Sequence, residues 1–293
     1  HNGLLRLVEF VLEFHPCFYQ TFSPMCLLSF RWLDHPTYAL ILAGNRDEVY
    51  RRPTQPVQFW NEDPNLLAGR DLKAGGTWMG ITRAGRWAVI TNVRDPSRQC
   101  PNARSRGQLV TDYLQSTVPP RAFGDSLAEQ TSRYNGFNLL VGTPTECVYI
   151  STERQDAEAV SPGIHGLSNA ELDTSWPKTD RAKQCLLRLT QPRSTTNGRG
   201  SVDSGALLDM LDDREPFSPD QLPNTGVGED LEKMLSPLFI TSDEYGTRAS
   251  TVLLISQSGQ VTFVERTFIH GAKERTRTFV FRIQPSAEGA GAG

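Results

Sequence analysis

The chain has 293 residues, of which 38% are hydrophobic and 22% charged, and its formal net charge is −3. This composition is typical of a globular protein with a sizeable core, and the charge gives no electrostatic reason to expect nucleic acid or an anionic membrane as a partner. The five cysteines are scattered without a CxxC pair, which disfavours a disulfide framework and a cysteine-ligated metal and favours a reducing, cytoplasmic location.

The first 24 residues do not match the pattern of the rest of the chain. Residues 1–24 are rich in apolar side chains, but charges interrupt them and a small-residue cleavage site is missing, so a signal peptide is not indicated. Three interpretations stay open: upstream codons included in an over-long gene prediction, a propeptide, or a short amphipathic helix. We expect a single domain over residues 25–284 and a disordered tail over residues 285–293. No run of about 18 apolar residues predicts a transmembrane helix.

The first predicted elements form a hairpin. Residues 26–32 alternate with period two, which predicts a strand. The apolar run from Tyr38 to Ala43 predicts a second, buried strand. Gly44 is expected to end this strand and to turn the chain into the polar cluster at residues 45–48.

Further strands and helices follow in alternating groups. Additional strands are predicted at residues 77–82, 86–91, 137–141, 146–151, 164–168, 249–255, 261–268 and 277–283. Helices are predicted at residues 107–114, 123–134, 177–189 and 202–211, and residues 212–235 are predicted to be an acidic, mobile surface loop. Because antiparallel hairpins dominate, this order favours an α+β fold of two antiparallel sheets with helices outside them. No glycine-rich nucleotide-binding motif is present.

Cys26 is the first candidate for chemistry. If translation starts at Met25, removal of that methionine places a thiol and a free α-amine on the same residue. The unperturbed pKa of an α-amine is about 8, so the amine could accept the thiol proton. The alternative interpretation is a small core residue, since free cysteine is among the most buried residue types.

Other candidates lie at predicted strand ends. Asp47 could orient the amine or the thiol, and Arg46 could bind a substrate carboxylate or stabilise an anion. Alternatively, both belong to a solvated turn with an ion pair. Asn92 and Asn169 could donate to an oxyanion or make local turn bonds. Arg248 could bind a carboxylate or cap a surface.

Ten different short motifs are distributed along residues 25–283. They are MC at 25–26, NRDE at 45–48, RP at 52–53, GRD at 69–71, GGTWMG at 75–80, TN at 91–92, RSRG at 104–107, YNGFNLL at 134–140, GLSNA at 166–170 and YGTRASTVLL at 245–254. In order and spacing they resemble the NRDE family, also called the Transport and Golgi organisation 2 family. Residues 1–24 fall outside the resemblance.

The resemblance implies a fold similar to the N-terminal-nucleophile hydrolases, a four-layer αββα sandwich of two antiparallel sheets. It also implies a cysteine hydrolase that acts on a C–N amide bond of a small molecule. By similarity to the bile-salt and penicillin amidases, the implied site consists of Cys26, Asp47, Asn92 and Asn169 as catalytic residues and Arg46 and Arg248 as substrate-binding residues.

Two non-enzymatic functions compete with this one. Eukaryotic members of the family are linked to Golgi organisation and haem trafficking, so the alternative is a protein that binds or traffics haem or another hydrophobic ligand. The other interpretation is a protein-interaction scaffold that uses residues 212–235. We expect no metal and no resident cofactor, with haem as a candidate ligand, and the oligomeric state stays open.

Overall fold

A computed structural model describes residues 26–154, 156–192 and 201–284. The predicted extension at residues 1–24 and the tail at 285–293 lie outside these residues. The described residues form thirteen strands: β1 (Cys26–Trp32), β2 (Tyr38–Val49), β3 (Thr54–Phe59), β4 (Leu66–Asp71), β5 (Met79–Thr82), β6 (Trp87–Asn92), β7 (Phe137–Gly142), β8 (Cys147–Ser151), β9 (Glu158–Ala159), β10 (Gly163–Leu167), β11 (Tyr245–Ser256), β12 (Gln260–Ile269) and β13 (Ala272–Arg282). The α-helices are α1 (Arg106–Gln115), α2 (Pro120–Ala128), α3 (Pro177–Leu189), α4 (Ser204–Met210) and α5 (Glu229–Met234).

The strands form two antiparallel sheets. The six-stranded sheet has the order β10-β1-β2-β11-β12-β13, and the seven-stranded sheet runs from β3 to β9 in chain order. The two sheets pack face to face through a core that includes Phe30, Leu42, Val89 and Leu140. Every predicted strand overlaps an observed one, because alternating or continuous apolar residues mark each of them.

Helices cover the outer face of each sheet. Helices α1 and α2 contribute Val110 and Leu127 to a cluster with the outer residues of the seven-stranded sheet. Helices α3 and α4 contribute Leu186 and Leu207 to the equivalent cluster on the six-stranded sheet. The predicted four-layer αββα sandwich is therefore confirmed.

Strand β2 is longer than predicted. It runs from Tyr38 to Val49, so the expected turn at Gly44 is wrong and residues 45–48 belong to the strand. Gly44 is required for close packing instead: a Cβ there would lie 2.4 Å from Leu28 Cδ2 and 2.7 Å from the Leu27 carbonyl oxygen. Since β2 pairs with β1 on one side and β11 on the other, its polar end is held rigidly.

Substituting Gly44 tests this close approach. Gly44→Ala is expected to lower the free energy of unfolding by about 1–3 kcal/mol, because the added methyl group overlaps backbone as well as side-chain atoms. Denaturant unfolding measures the change. Gly205→Ala in α4 is the control, since its Cβ meets only the side chain of Asp203 and should cause no comparable loss. An unchanged unfolding midpoint for Gly44→Ala would contradict the packing argument.

One helix prediction and one loop prediction need correction. Helix α2 begins at Pro120, before the predicted start, because proline is tolerated in the first turn of a helix, where its missing N–H has no partner to lose. It ends at Ala128, and a short 3₁₀ turn follows at Thr131–Arg133. The segment predicted as a surface loop, residues 212–235, contains α5. Glu232 in this helix is buried in an ion pair with Arg94, a residue far away in the sequence that no local pattern connects with it.

Candidate active site

Cys26 lies at the start of β1 on the wall of a cavity of about 490 Å³. Its Cα is paired with that of Arg46 across the β1–β2 ladder, so the two side chains are neighbours on the same face of the sheet. Cys26 as a residue is 7% exposed. Asn92, at the end of β6, lines the same cavity from the other sheet. The fold therefore brings a thiol, a guanidinium and an amide together, although they lie far apart in the sequence.

The alternation of β2 divides the polar cluster between the two faces of the sheet. Leu40 and Leu42 belong to the core between the sheets, whereas Ile41 and Ala43 belong to the core beneath the helices. By the same period of two, Arg46 and Glu48 face the cavity, and Asn45 and Asp47 face the helix layer. Accordingly, Arg46 and Glu48 line the cavity. Asn45 Nδ2 donates instead to the carbonyl oxygens of Leu211 and Leu238.

The thiol of Cys26 is a weak acid in this setting. Burial, followed by the negative charge of Asp47, raises its pKa to about 12. The positive charge of Arg46 and a hydrogen bond from the backbone N–H of Asp47 oppose this effect. The thiol is therefore protonated near neutral pH, and nucleophilic attack by Cys26 requires a base.

Asp47 forms a buried polar group with Lys178 on the helix side of the sheet. Burial raises the pKa of Asp47 and lowers the pKa of Lys178, which shifts both away from their charged forms. Asp47 Oδ1 accepts a hydrogen bond of 2.6 Å from Thr247, and Lys178 Nζ donates to the Leu235 carbonyl oxygen at 3.1 Å. Within the described part of the chain, Asp47 Oδ2 is buried without a hydrogen-bond partner. Lys178 was missed because a lysine in the first turn of a helix usually faces solvent.

Asn169 lies beside Asn92, and hydrogen bonds link this pair to β1. Asn169 Nδ2 donates to the Asn92 carbonyl oxygen at 2.8 Å. The neighbouring Ser168 Oγ donates to the Cys26 carbonyl oxygen at 3.0 Å. These bonds set the spacing between Cys26 and Asn92 across the two sheets. Asn92 is thus placed at the cavity wall, and Asn169 is placed behind it.

Arg248 does not line the cavity. It lies at a β-bulge in β11, and its Nη1 donates to the carbonyl oxygens of Val49, Tyr50 and Arg52 at 3.1, 2.9 and 3.1 Å. The guanidinium therefore caps the chain where it leaves β2. Of the two interpretations of Arg248, these hydrogen bonds favour the capping one, and its role in substrate binding stays a prediction.

Several charged residues of the cavity were not singled out from the sequence. Arg104 and Arg106, from the RSRG motif, lie on the wall formed by the start of α1, and Lys73 lies on the turn after β4. Burial lowers the pKa of Arg106 to about 10, so its guanidinium remains charged at neutral pH. Two arginines before a helix were visible in the sequence, but nothing there indicated that they would meet Cys26.

Glu265 joins the two sheets close to the cavity. Its Oε1 accepts a hydrogen bond of 2.7 Å from the backbone N–H of Val57, which belongs to the other sheet. Burial raises the pKa of Glu265 to about 7, while the backbone hydrogen bond and the positive charge of Arg46 oppose the shift. In the folded state the carboxyl therefore keeps a proton that an unfolded chain releases near pH 4.3.

This carboxyl is expected to make stability pH-dependent. Between about pH 4.3 and about pH 7 the folded state binds more protons at Glu265 than the unfolded state, so the free energy of unfolding falls as pH rises. Glu265→Gln should reduce that fall by up to about 3–4 kcal/mol, measured by denaturant unfolding across this range. Glu129→Gln on the surface should keep the original slope. An identical slope in Glu265→Gln would show that the carboxyl does not titrate in this window.

Neither a metal centre nor a membrane span is visible in the described residues. Across residues 26–154, 156–192 and 201–284, no group of three or more His, Cys, Asp or Glu residues is placed to hold a metal ion. Each helix described there is too short or too polar to cross a membrane.

The sequence is similar to known proteins of the family that its motifs resemble. A family model described as Transport and Golgi organisation 2 matches residues 25–270. The Transport and Golgi organization protein 2 homolog of Homo sapiens is 35% identical over 278 residues, covering 89% of this chain and 100% of that protein. The Drosophila melanogaster Transport and Golgi organization protein 2 is 26% identical over 285 residues, covering 86% of this chain and 96% of that protein.

Among solved structures, the Caenorhabditis elegans ortholog of N-acylethanolamine-hydrolyzing acid amidase has a TM-score of 0.44 and 13% identity, covering 78% of this chain and 92% of that one. The family match rests on the sequence comparisons, which span most of the chain and agree with the order of its motifs. This chain therefore belongs to the Transport and Golgi organisation 2 family.

Proposed function

We propose that this chain is an N-terminal-nucleophile cysteine hydrolase that cleaves a C–N amide bond of a small molecule. The observation that carries the proposal is the position of Cys26, which begins β1 with its thiol on the wall of a cavity of about 490 Å³ beside Arg46. A buried structural cysteine needs no such cavity. A nucleophile needs room for a substrate and charged groups that orient it.

The base in this proposal is the α-amine of Cys26 itself. A thiol with a pKa of about 12 needs a proton acceptor, and an α-amine titrates near pH 8. Because the amine belongs to the backbone, a carboxylate on the helix side of the sheet can orient it. Asp47 is suited to that role because its Oδ2 is buried without a hydrogen-bond partner among the described residues.

The reaction then has two steps. The amine takes the thiol proton, and sulfur attacks the amide carbon to give a tetrahedral oxyanion, which accepts a hydrogen bond from Asn92. Asn169 positions Asn92 through its hydrogen bond to the Asn92 carbonyl oxygen. The C–N bond breaks, the leaving nitrogen takes the proton, and a thioester remains on Cys26. Water hydrolyses the thioester, which releases the acid and restores the thiol.

Intact mass and activity together test this proposal. In the printed sequence a peptide bond joins Met25 to Cys26, so the amine forms only when that bond is cut. The active protein is expected to have the mass of a chain that starts at Cys26 and to release free amine from N-acyl amides. A chain that retains residues 1–25 is the control and should be inactive. Equal hydrolysis by the retained form would contradict the amine as base.

Binding without chemistry is the second candidate function, and the charge of the cavity favours it independently of Cys26. Arg46, Arg104 and Arg106 line the cavity and could bind carboxylates such as those of haem. Titration with haem would then shift its Soret band equally in the wild-type chain and in Cys26→Ala. A titration without any shift would reject haem as the ligand.

A cytoplasmic location is part of the proposal. The described cysteines, Cys26, Cys100, Cys147 and Cys185, are all free thiols, which suits a reducing compartment.

A further inference from the structure

The guanidinium of Arg46 points to an anionic ligand. Arg46 is 6% exposed, and its Cζ atom lies 4.4 Å from the centroid of the Trp78 ring. Its Nη2 donates to Glu48 Oε2 at 3.3 Å, but its Nη1 is buried and has no hydrogen-bond partner in the part of the chain that the structure describes. A buried guanidinium N–H without an acceptor is costly, and an anion in the cavity would supply the acceptor.

The remaining charges of the cavity also favour an anion. Its described lining contains five cationic side chains and two carboxylates, Glu48 and Asp71. Both carboxylates are already paired with Arg52, at 3.4 Å for Glu48 and 2.6 Å for Asp71. The lining is therefore positive overall. In a recessed site such a field attracts negative ligands more strongly than an exposed surface does.

The anion would lie next to the reacting sulfur. Cys26 and Arg46 are directly paired across two strands, which places their Cβ atoms about 4.5–5.5 Å apart. Arg106 lines the same cavity from the start of α1, where its Nη1 donates to the Gly136 carbonyl oxygen at 2.9 Å. Its positive charge interacts with that of a Cys26 thiolate. A group bound by these two arginines is thus separated from the attacked carbon by only a few bonds.

We propose that the cavity selects amides that carry a carboxylate close to the scissile bond, as N-acyl α-amino acids do. Arg46 and Arg106 bind the carboxylate, and the exposed Arg104 and Lys73 at the rim attract it. The identity of the cleaved bond rests on the proposed function. The preference for an anion beside Cys26 does not, and it can be measured without hydrolysis.

Iodoacetate and iodoacetamide are suitable probes because they have nearly the same size and differ in charge. Each alkylates the thiolate: an S–C bond forms, the C–I bond breaks and iodide leaves. Both rates depend equally on the thiolate fraction, so their ratio is independent of the thiol pKa. Mass spectrometry of the Cys26 peptide gives the two rates, and N-acetylcysteine is the reference thiol. The iodoacetate-to-iodoacetamide ratio is expected to be about tenfold higher for Cys26 than for the reference.

Substitutions of Arg46 and Arg106 test whether these two residues cause the preference for iodoacetate. Arg46→Gln and Arg106→Gln should each bring the ratio towards that of the reference thiol, whereas Arg46→Lys should keep most of it. Arg104 is exposed, so Arg104→Gln leaves the fold intact and should weaken the dependence of the ratio on ionic strength. Arg121→Gln is the matched control, because Arg121 is exposed on α2, where it pairs with Asp125.

Each outcome decides a separate point. A wild-type ratio equal to that of the reference overturns the anion preference. An elevated ratio that Arg46→Gln and Arg106→Gln both leave unchanged overturns its assignment to these two arginines. An elevated ratio in a chain that hydrolyses no amide rejects the proposed function and keeps the anion site. Hydrolysis of neutral amides as fast as of their carboxylate-bearing counterparts keeps the proposed function and rejects the substrate class.

Discussion

Cys26→Ala is expected to abolish amide hydrolysis, with a loss of ~10⁴-fold or more, because no other group can form the thioester. The fold should persist. The thiol faces the cavity and belongs to none of the hydrophobic clusters of the described residues, so its loss leaves the packing between the sheets unchanged. We expect the free energy of unfolding to change by less than about 1 kcal/mol.

Cys147→Ala is the matched control for this variant. Cys147 is also a buried thiol, but it belongs to the core between the two sheets. Its replacement should lower stability modestly and leave turnover unchanged. Release of free amine, measured for both variants under the same conditions, separates chemistry from packing. Unimpaired turnover in Cys26→Ala would exclude Cys26 as the nucleophile.

Glu232→Ala should be strongly destabilising, by about 3–5 kcal/mol, because it removes one partner of a buried ion pair. Arg94 and Glu232 side chains are 5% and 3% exposed, and Arg94 Nη1 lies 2.5 Å from Glu232 Oε2. Glu232 Oε1 also accepts hydrogen bonds from the backbone and the hydroxyl of Thr225. The variant therefore leaves the buried Arg94 guanidinium without its carboxylate. It also removes the acceptor for the two hydrogen bonds from Thr225, which precedes α5.

Two further variants define the origin of this loss. Asp230→Ala, on the exposed face of the same helix, should change the free energy of unfolding by no more than about 0.5 kcal/mol. The double variant Arg94→Met with Glu232→Leu should recover much of the lost stability, since neither charge of this pair remains buried. Denaturant unfolding compares all of them. A double variant as unstable as Glu232→Ala would show that the shape of the site matters more than its charge.

The sequence alone determined the strands, the sandwich and the identity of several cavity residues. Apolar alternation and apolar runs are local properties, and each predicted strand overlaps an observed one. Cys26, Arg46 and Asn92 were selected because each lies in or beside a patterned strand. The structure places all three on one cavity.

Only the tertiary structure decided on which face of the sheet each of these side chains lies and which residues surround it. Gly44 continues β2 because strands pair on both sides of it, and this continuation separates Arg46 from Asp47 across the sheet. Lys178 and Arg106 lie on helices far from Cys26 in the sequence, yet their charges interact with its thiolate. Arg248 caps the end of β2 through its hydrogen bonds to backbone carbonyl oxygens. The physical reason is that pairing and burial depend on contacts between residues far apart in the chain, which local sequence patterns do not record.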